Sequence, residues 1–286
     1  MKFEEKLLLL ESILKGYGKV AVAFSGGVDS AFLLLFAKKV LGAGVTAVTV
    51  TGPHFAPDEM DYAAELCRRE GIGHTVIDFG AEILAGFAHN PPDRCYICKK
   101  AIFSRVADQV TGSSAMAGIG SAPGAAEEAG AITIADGTNL DDMRDYRPGR
   151  RALEELGVAS PLKEAGLTKA EVRRGLKELG GEIWDKPAFA CLASRIPYGE
   201  EITEEKLSAI YQVESYLKSL GFRQVRVRHH GDLARIEVDP AERAAFFDLD
   251  LMDQVCAFAR GAGFRYVALD LAGYQMGSLN GPVGRE

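Results

Sequence analysis

The sequence predicts an α/β fold in which a parallel sheet with crossover helices is followed by a smaller α+β domain. Three observations lead to this prediction. Short apolar segments alternate with amphipathic segments through the first half of the chain, a glycine-rich turn follows the first apolar segment, and two alternating segments stand side by side near residue 230. Strands that alternate with helices are typical of parallel sheets, whereas adjacent strands flanked by helices are typical of α+β domains.

The composition indicates a chain with a sizeable core. Of the 286 residues, 47% are hydrophobic, and the formal net charge is −7. The apolar fraction is too high for a disordered chain, and the negative charge argues against a nucleic-acid partner. The N-terminal segment predicts an amphipathic helix rather than a signal peptide, and no apolar run approaches the roughly 20 residues of a membrane span. We therefore expect a cytoplasmic protein without a membrane partner.

The first half of the chain provides the elements of the parallel sheet. After the N-terminal helix, we predict strands at residues 19–24, 45–51, 74–79 and 131–136, and helices at residues 31–42, 57–71 and 95–110. The segment 111–130 is rich in Gly, Ala and Ser and predicts a loop. These elements define a first domain over residues 1–165.

A linker over residues 166–202 separates the first domain from a second one at 203–286. The linker begins with a helix at 168–180, where Thr168 and Glu171 have the spacing of a capping box. The second domain is predicted to contain a helix capped by Thr203, a hairpin, a largely helical stretch and a last strand; the ranges are 204–221, 223–230 with 233–239, 240–263 and 266–271. We expect this domain to serve substrate binding and oligomerisation.

The glycine-rich turn, Ser25-Gly26-Gly27-Val28-Asp29-Ser30, lies between a predicted strand and a predicted helix. Two glycines let the backbone approach an anion, serine hydroxyls can donate to it, and the helix start adds unpaired N–H groups. Asp29 can hold a magnesium ion that binds phosphate. The Gly-Lys-Ser/Thr ending of a Walker loop is absent. The string favours a phosphate site over an ordinary βα turn.

A second polar stretch, "ADGTNLDDMRDYRPG", follows the strand predicted at 131–136. Open α/β sheets bind ligands at the carboxyl ends of their strands, so this stretch is a candidate for the same site. Taken by itself, it is equally compatible with a solvated polar loop.

Five cysteines without an export signal indicate thiol or metal chemistry rather than a disulfide framework. Cys95 and Cys98 form a CxxC pair, which suits either a redox pair or two ligands of a metal or cluster. Cys191 lies in the linker, and either completes a three-cysteine site or is unrelated to the pair. Cys67 and Cys256 lie on amphipathic helices, where we expect buried, inert thiols.

Five motifs in order carry a resemblance to a known family: "AFSGGVDS", "NPPDRCYICK", "ADGTNLDDMRDYRPG", "KPAFACLASRIPYG" and "VRVRHHGDLARIEV". Together they resemble the LarE-type sulfur transferases of the nickel-pincer nucleotide pathway. These belong to the PP-loop ATP pyrophosphatases, with an adenine nucleotide alpha hydrolase-like fold. The resemblance implies that ATP adenylates the carboxylates of pyridinium-3,5-biscarboxylic acid mononucleotide, and that sulfur then displaces AMP to give thiocarboxylates.

The resemblance also assigns roles to matching residues. It implies that ATP is bound by Ser25, Gly26, Gly27, Asp29, Ser30, Gly137, Thr138, Asn139, Asp142 and Arg147, with Mg²⁺ on Asp29. It implies that Cys191, Arg195 and Lys99 are catalytic, and that Arg226, Arg228, Glu214 and Glu237 bind the substrate near its phosphate, where family members hold a metal. Arg226 and Arg228 also share one face of a strand, so two guanidiniums can clamp one phosphate. The alternatives are a solvated basic edge for this pair and a structural salt bridge for Arg195.

The sulfur source has two forms in this family. In one, the cysteine matching Cys191 gives up its own sulfur; in the other, three cysteines hold a 4Fe–4S cluster that carries an extra sulfide. The sacrificial form lacks the CxxC pair, so the resemblance favours a cluster on Cys95, Cys98 and Cys191. It also suggests a homo-oligomer built from trimers. The competing functions are a PP-loop tRNA thiolase, an ammonia-using ligase and a non-enzymatic binding module.

Overall fold

The computed structural model describes residues 1–112, 131–144, 148–187 and 190–275. The described residues fall into two compact units, which interleave along the chain. The first unit takes in Met1–Gly52, Pro57–Ile83 and Asp93–Ala188, and the second takes in Pro53–Ala56, Leu84–Pro92 and Phe189–Glu286. The predicted boundary at 165/166 therefore lies inside the first unit.

In the described residues, helices alternate with strands up to residue 135, as the sequence predicts, and three further helices follow. The elements are α1 (Phe3–Tyr17), β1 (Val20–Ala23), α2 (Val28–Leu41), β2 (Val45–Thr51), α3 (Pro57–Arg69), β3 (Gly73–Asp78), α4 (Glu82–Ala85), α5 (Arg94–Thr111), β4 (Thr133–Ala135), α6 (Gly149–Glu155), α7 (Pro161–Glu164) and α8 (Lys169–Glu178). Short 3-10 helices occupy Gly42–Gly44 and Asp141–Arg144. The short helices α4, α6 and α7 lack a long apolar repeat and were not predicted.

The four strands form one parallel sheet in the order β3-β2-β1-β4, which confirms the predicted α/β class. The chain runs from β1 outward to β2 and β3, and β4 then returns to the other side of β1. The order reverses between β1 and β4, and a crevice opens at the carboxyl ends of strands at such a reversal. The loops after β1 and β4 are therefore placed side by side.

Helix α2 is central to the core of the first unit. Its residues from Ala31 to Ala37 are all buried, as expected of a helix that is apolar on nearly every side. Helix α8 packs closely on it, since a Cβ atom at Gly175 would lie 2.5 Å from the ring of Phe32. The capping box predicted for α8 is present: Thr168 accepts from the Glu171 N–H, and the Glu171 carboxylate accepts from the Thr168 N–H.

The second unit contains the predicted α+β elements. They are α9 (Glu204–Ser219), β5 (Val225–His230), β6 (Leu233–Val238), a 3-10 helix (Arg243–Phe247), α10 (Leu249–Gly261) and β7 (Tyr266–Leu269). A further 3-10 helix (Leu192–Arg195), in the segment expected to be a linker, was not predicted. The sheet order is β5-β6-β7, with β5 and β6 antiparallel and β6 and β7 parallel. Gly231 has φ +57° in the two-residue turn, and Thr203 caps α9, both as predicted.

Several details differ from the predictions or lie beyond them. Cys67 is buried, and burial raises the pKa of its thiol to about 11, as expected of an inert thiol. Cys256 is only half-buried, so the prediction of a buried thiol is wrong there.

Most of the predicted loop at 111–130 lies outside the described residues. No helix among the described residues is both long and apolar enough to cross a membrane.

Candidate active site

The glycine-rich loop runs from the carboxyl end of β1 into the first turn of α2. Gly26 has φ +72°, and a Cβ atom there would lie 2.4 Å from the backbone oxygen of Glu59. An L side chain rarely adopts that φ, and a backbone oxygen cannot easily move aside. Gly27 is the N-cap of α2 in an extended conformation. The two glycines leave the backbone bare at a helix start, which is an arrangement that binds phosphate.

The two serines of the loop bond to each other across it. The hydroxyl oxygens of Ser25 and Ser30 lie 3.2 Å apart, and the Ser25 N–H donates to the Ser30 hydroxyl at 3.3 Å. Ser30 in turn donates to the carbonyl of Gly27 at 3.1 Å. These bonds link the two ends of the loop and place its two hydroxyl groups next to each other.

Asp29 lies at the second position of α2, where its carboxylate has two side-chain partners. Oδ1 accepts from Nδ2 of Asn139 at 3.2 Å, and Oδ2 accepts from the ammonium group of Lys169. Burial raises the pKa of Asp29 above its ordinary value, while Lys169 and Asn139 act against this rise by stabilising the charged form. Carboxylate and hydroxyl oxygens are hard donors, so Asp29 beside the loop serines suits a magnesium ion.

The loop after β4 touches the glycine-rich loop directly. A Cβ atom at Gly137 would lie 2.8 Å from the backbone nitrogen of Ser30, so only glycine fits here without a shift. The N–H of Asn139 donates to Asp142 at 3.0 Å, and Oδ1 of Asn139 accepts from the N–H of Asp141 at 2.9 Å. These bonds orient the Asn139 amide toward Asp29.

Asp136 and Thr138 anchor the same loop at the end of β4. The buried carboxylate of Asp136 accepts from the hydroxyl and the N–H of Thr138, and also from the Ser160 hydroxyl at 2.7 Å. The described part of the loop is thereby fixed at its base, at the end of β4. Arg147, the last residue of the predicted nucleotide set, lies outside the described residues.

Lys169 was not singled out from the sequence, yet it bonds directly to Asp29. It is the first residue of α8, where the positive end of the helix dipole disfavours a cation. Acidic residues are usual at this position, so a lysine directly after the Thr168 cap is an unusual feature of the sequence that could have marked Lys169 as a functional candidate. The pairing itself spans 140 positions and could not be read from local pattern.

Cys95 and Cys98 lie in the first turn of α5, one exposed and one half-buried. Residues three apart share one side of a helix, so the two thiols are neighbours there. Lys99 lies beside them and packs against α6, because a Cβ atom at Gly149 would meet its side chain at 2.8 Å. The pair is thus presented at a helix start next to a lysine.

Tyr96 and Lys100 of α5 also contact α6. The Tyr96 hydroxyl donates to Glu155 at 2.7 Å, Lys100 donates to the same carboxylate at 2.9 Å, and the Arg151 guanidinium lies 3.8 Å from the Tyr96 ring centre. Together with the packing of Lys99 against Gly149, these contacts hold the start of α5, which carries the cysteines, against α6.

Cys191 is half-buried and forms the N-cap of the 3-10 helix Leu192–Arg195 in the second unit. The Leu192 N–H donates to the carbonyl of His54 at 2.9 Å. Arg195 donates to the carbonyl of Cys191 at 3.0 Å and also to that of Ala190. The backbone of the cysteine is therefore held on both sides.

Arg195 itself is fully buried and forms a two-pronged ion pair with Glu214 on α9. Both N–O distances are 2.8 Å, and the exposed fractions of the two side chains are 0% and 1%. Burial opposes ionisation of Glu214, but the charges of Arg195 and Arg226 outweigh it and bring its pKa below the ordinary range. Glu214 also accepts the N–H of Val227 on β5 at 2.9 Å. The salt bridge left open as an alternative for Arg195 is therefore present.

Arg226 and Arg228 lie on one face of β5, and both are buried. Arg228 bonds to Glu237 on β6 at 2.8 Å and donates to the carbonyl of Ser194 at 3.2 Å. Arg226 donates to a backbone carbonyl and lies 5.3 Å from the ring of Tyr274. Burial, together with the nearby charge of Arg195, lowers the pKa of Arg226 to about 10. This face is a buried charge network rather than a solvated basic edge.

The predicted site residues thus gather into three groups: the two loops of the first unit, the Cys95–Cys98–Lys99 face of α5, and the network around Cys191. In the part of the chain that the structure describes, no three His, Cys, Asp or Glu side chains are arranged to hold a metal ion. Thiolates are the right donors for an iron–sulfur cluster, and two of the three predicted ligands are adjacent.

Comparison with known proteins gives consistent matches over nearly the whole chain. The family model for asparagine synthase matches residues 11–105, which include the glycine-rich loop and both cysteines of the CxxC pair. A pyridinium-3,5-bisthiocarboxylic acid mononucleotide synthase of Lactiplantibacillus plantarum is 37% identical over 278 residues, covering 96% of this chain and 94% of its own. An uncharacterised protein of Synechocystis is 40% identical over 97% of both chains, and one of Methanocaldococcus jannaschii is 28% identical over 84% and 86%.

Proposed function

The chain belongs to the LarE-type family of pyridinium-3,5-bisthiocarboxylic acid mononucleotide synthases, ATP-using enzymes with a PP-loop, and from this premise we propose that it thiolates pyridinium-3,5-biscarboxylic acid mononucleotide. Each carboxylate is first activated by ATP and then converted to a thiocarboxylate. Activation is chemically necessary because a free carboxylate has no leaving group, whereas AMP is a good one.

The nucleotide half of the reaction takes place at the glycine-rich loop. A substrate carboxylate oxygen attacks the α-phosphorus of ATP, the bond to pyrophosphate breaks, and an acyl adenylate forms. The single observation that carries this proposal is the close contact between Gly137 and Ser30, which joins the two predicted nucleotide motifs in one cradle. Helix N–H groups and serine hydroxyls favour the departing pyrophosphate, and Asp29 would hold magnesium beside it.

In the sulfur half, a sulfur nucleophile attacks the acyl carbon and the bond to AMP breaks. We propose that Cys95, Cys98 and Cys191 hold a 4Fe–4S cluster, which would supply an iron open to a sulfur ligand. The support is the pairing of two thiols on the first turn of α5 and the rigid backbone of Cys191. Lys99, beside the pair, is proposed to meet the charge of the adenylate.

Arg226 and Arg228 are proposed to clamp the phosphate of the substrate. They share a face of β5 and bring two positive charges to one place, which a doubly charged phosphate would balance. Glu237 orients Arg228 by direct bonds.

For Arg195 and Glu214 the geometry favours positioning over direct contact with the substrate. Arg195 is fully buried against Glu214 and holds the carbonyl of Cys191. We therefore assign this pair the role of fixing the cysteine, and we count neither residue among those that touch the reacting atoms.

The central test is pyrophosphate release by the purified protein with ATP, magnesium and the biscarboxylate nucleotide. We expect release that depends on this nucleotide, with a product mass that rises by the exchange of one oxygen for sulfur at each carboxylate. Release without the nucleotide, or salt-sensitive binding of bulk tRNA, would point instead to another PP-loop enzyme.

The sulfur source is tested by anaerobic purification with iron and sulfide analysis. We expect a coloured protein with about one 4Fe–4S cluster per chain, because each chain provides one set of three proposed thiolate ligands. A colourless protein whose own mass falls by hydrogen sulfide on turnover would instead assign the sulfur to Cys191. A cytoplasmic location and a homo-oligomer built from trimers complete the proposal; light scattering of the purified protein tests the latter.

A further inference from the structure

We propose that Lys169 is a phosphate-binding residue of the nucleotide site, whose ammonium group moves from Asp29 onto phosphate oxygens when ATP binds. The inference rests on the proposed ATP site and adds a residue to it. No motif of the sequence pointed to Lys169, and the observation that carries it is its bond to the carboxylate of Asp29 inside the loop.

Lys169 is not needed to hold its own helix in place. Its backbone N–H donates to Asp141 at 2.8 Å, Glu171 is paired with Lys6 at 2.7 Å, and Gly175 packs against Phe32. The capping box adds a further fixed point. Helix α8 is thus anchored by contacts that do not involve the Lys169 side chain, which leaves the ammonium group available for another role.

The position of the charge is unfavourable unless it serves a partner. A cation at the first position of a helix opposes the helix dipole, and only an anion nearby compensates for it. Local rules are broken in proteins mainly at functional sites. Here the charge stands beside a loop that suits phosphate, where it adds a positive group to the bare backbone of α2.

The ammonium group can also leave Asp29 at little cost. The two side chains are 29% and 25% exposed, and a partly exposed ion pair is weak compared with charge-assisted bonds to phosphate. Lysine carries its charge on a flexible stem with rotatable donors, so the group can swing between neighbouring anions without movement of the helix. Asp29 keeps the bond from Asn139 after the exchange.

The first experiment measures the affinity of the full-length protein for Mg-ATP by calorimetry. We expect Lys169→Met to weaken binding about tenfold or more, as for the loss of a hydrogen bond to a charged group, and Lys169→Arg to retain most of it. Lys177→Met is the matched control, because Lys177 is on the same helix and lies over the ring of Trp184. It should bind as the wild type does. Circular dichroism melting verifies that each variant is folded.

The second experiment separates a phosphate contact from mere neutralisation of Asp29. Inorganic pyrophosphate is titrated in EDTA into Asp29→Asn and into the Asp29→Asn/Lys169→Met double variant. If Lys169 contacts phosphate, the double variant binds at least about fivefold more weakly than Asp29→Asn. Equal affinities would overturn the inference, because they would show that Lys169 acts only on Asp29.

The outcomes for the inference and for the proposed function are distinct. If the folded wild-type protein does not bind Mg-ATP, both the proposed function and the inference about Lys169 are wrong. If the wild-type protein binds Mg-ATP and Lys169→Met binds it equally well, only the inference about Lys169 is wrong.

Discussion

A buried pair of charges helps to hold the backbone of Cys191 in place. Arg195 and Glu214 are inaccessible to water, and Arg195 holds the carbonyl of the cysteine. A buried pair contributes little net stability compared with an apolar pair, but removal of one partner leaves the other charge uncompensated. The pair therefore fixes the local structure more than it stabilises the whole unit.

We predict that Glu214→Gln lowers the free energy of unfolding by about 3–5 kcal/mol, because Arg195 loses its counter-charge in a dry environment. Glu178→Gln is the control: Glu178 pairs with Arg174, and both side chains are more than half exposed. It should cost about 1 kcal/mol or less. Urea denaturation measures both variants, and equal losses would contradict the account of a buried pair.

His54 is a second buried group whose ionisation matters. It is almost fully buried beside Phe55 and Phe87, and burial lowers its pKa to about 4. Its backbone carbonyl accepts the N–H of Leu192, next to Cys191. The folded state thus holds a neutral imidazole, while the unfolded chain takes up a proton at the ordinary value.

We predict a loss of stability on acidification between the ordinary histidine pKa of about 6.5 and the folded value. In this window the unfolded chain binds one more proton than the folded protein. The free energy of unfolding therefore decreases as the pH is lowered. From pH 7 to pH 5 the His54 contribution is about 2 kcal/mol. His54→Leu should reduce the difference in the free energy of unfolding between the two pH values by that amount. An unchanged pH dependence in His54→Leu would refute the assignment.

At the scale of elements, the site depends on how closely α8 packs on α2. Helix α2 carries Asp29 and Ser30, α8 carries Lys169, and the two helices approach where Gly175 faces the ring of Phe32. A glycine inside a helix costs roughly 1 kcal/mol relative to alanine. At position 175 the close packing of α8 on α2 outweighs this cost, because any larger side chain would push the two helices apart.

We predict that Gly175→Ala destabilises the protein by about 1–3 kcal/mol, because overpacking outweighs the gain in helix propensity. Gly16→Ala in α1 is a matched control: nothing lies within 4 Å of the added methyl group, so it should stabilise by up to about 1 kcal/mol. Thermal and urea unfolding measure both. The packing argument would fail if the two variants shifted stability in the same direction.

Local sequence patterns made most helices and strands predictable, whereas contacts between residues far apart in the sequence could not be predicted. The Thr168 cap, the Gly231-Asp232 turn and the hairpin of β5 and β6 depend on neighbours in sequence, and all are present. The bond between Lys169 and Asp29 spans 140 positions, and nothing in either segment alone encodes it. The same holds for Gly175, whose role depends on the ring that faces it.

The candidate site was predictable to the extent that its residues form contiguous motifs. The loop Ser25–Ser30 and the stretch around Asn139 could be placed together because parallel strands end at one edge of a sheet. The complete burial of Arg195 could not be foreseen, since an arginine in a polar linker is compatible with exposure or with an ion pair. Its partner Glu214 comes from another helix.

At the scale of the whole molecule, the proposed reaction divides into two chemical halves on different parts of the chain. Activation of the carboxylate would use the two loops after β1 and β4, whereas the sulfur half would use the proposed cluster ligands Cys95, Cys98 and Cys191. The two halves have separate readouts, since pyrophosphate reports activation and the thiocarboxylate reports transfer. A variant that blocks only transfer is therefore the sharpest test of this division.

We predict that Cys191→Ala leaves a first round of nucleotide-dependent pyrophosphate release within about twofold of wild type, while thiocarboxylate falls below detection. Alanine removes the sulfur but keeps the backbone that Arg195 and Leu192 hold, so the activation half is untouched. Cys256→Ala, which removes a half-buried thiol on α10, should leave both products unchanged. Quenched single-turnover assays with mass detection of pyrophosphate, acyl adenylate and product measure both halves. If Cys191→Ala loses pyrophosphate release as well, activation and sulfur transfer are not separable, and the division of the reaction into two halves is wrong.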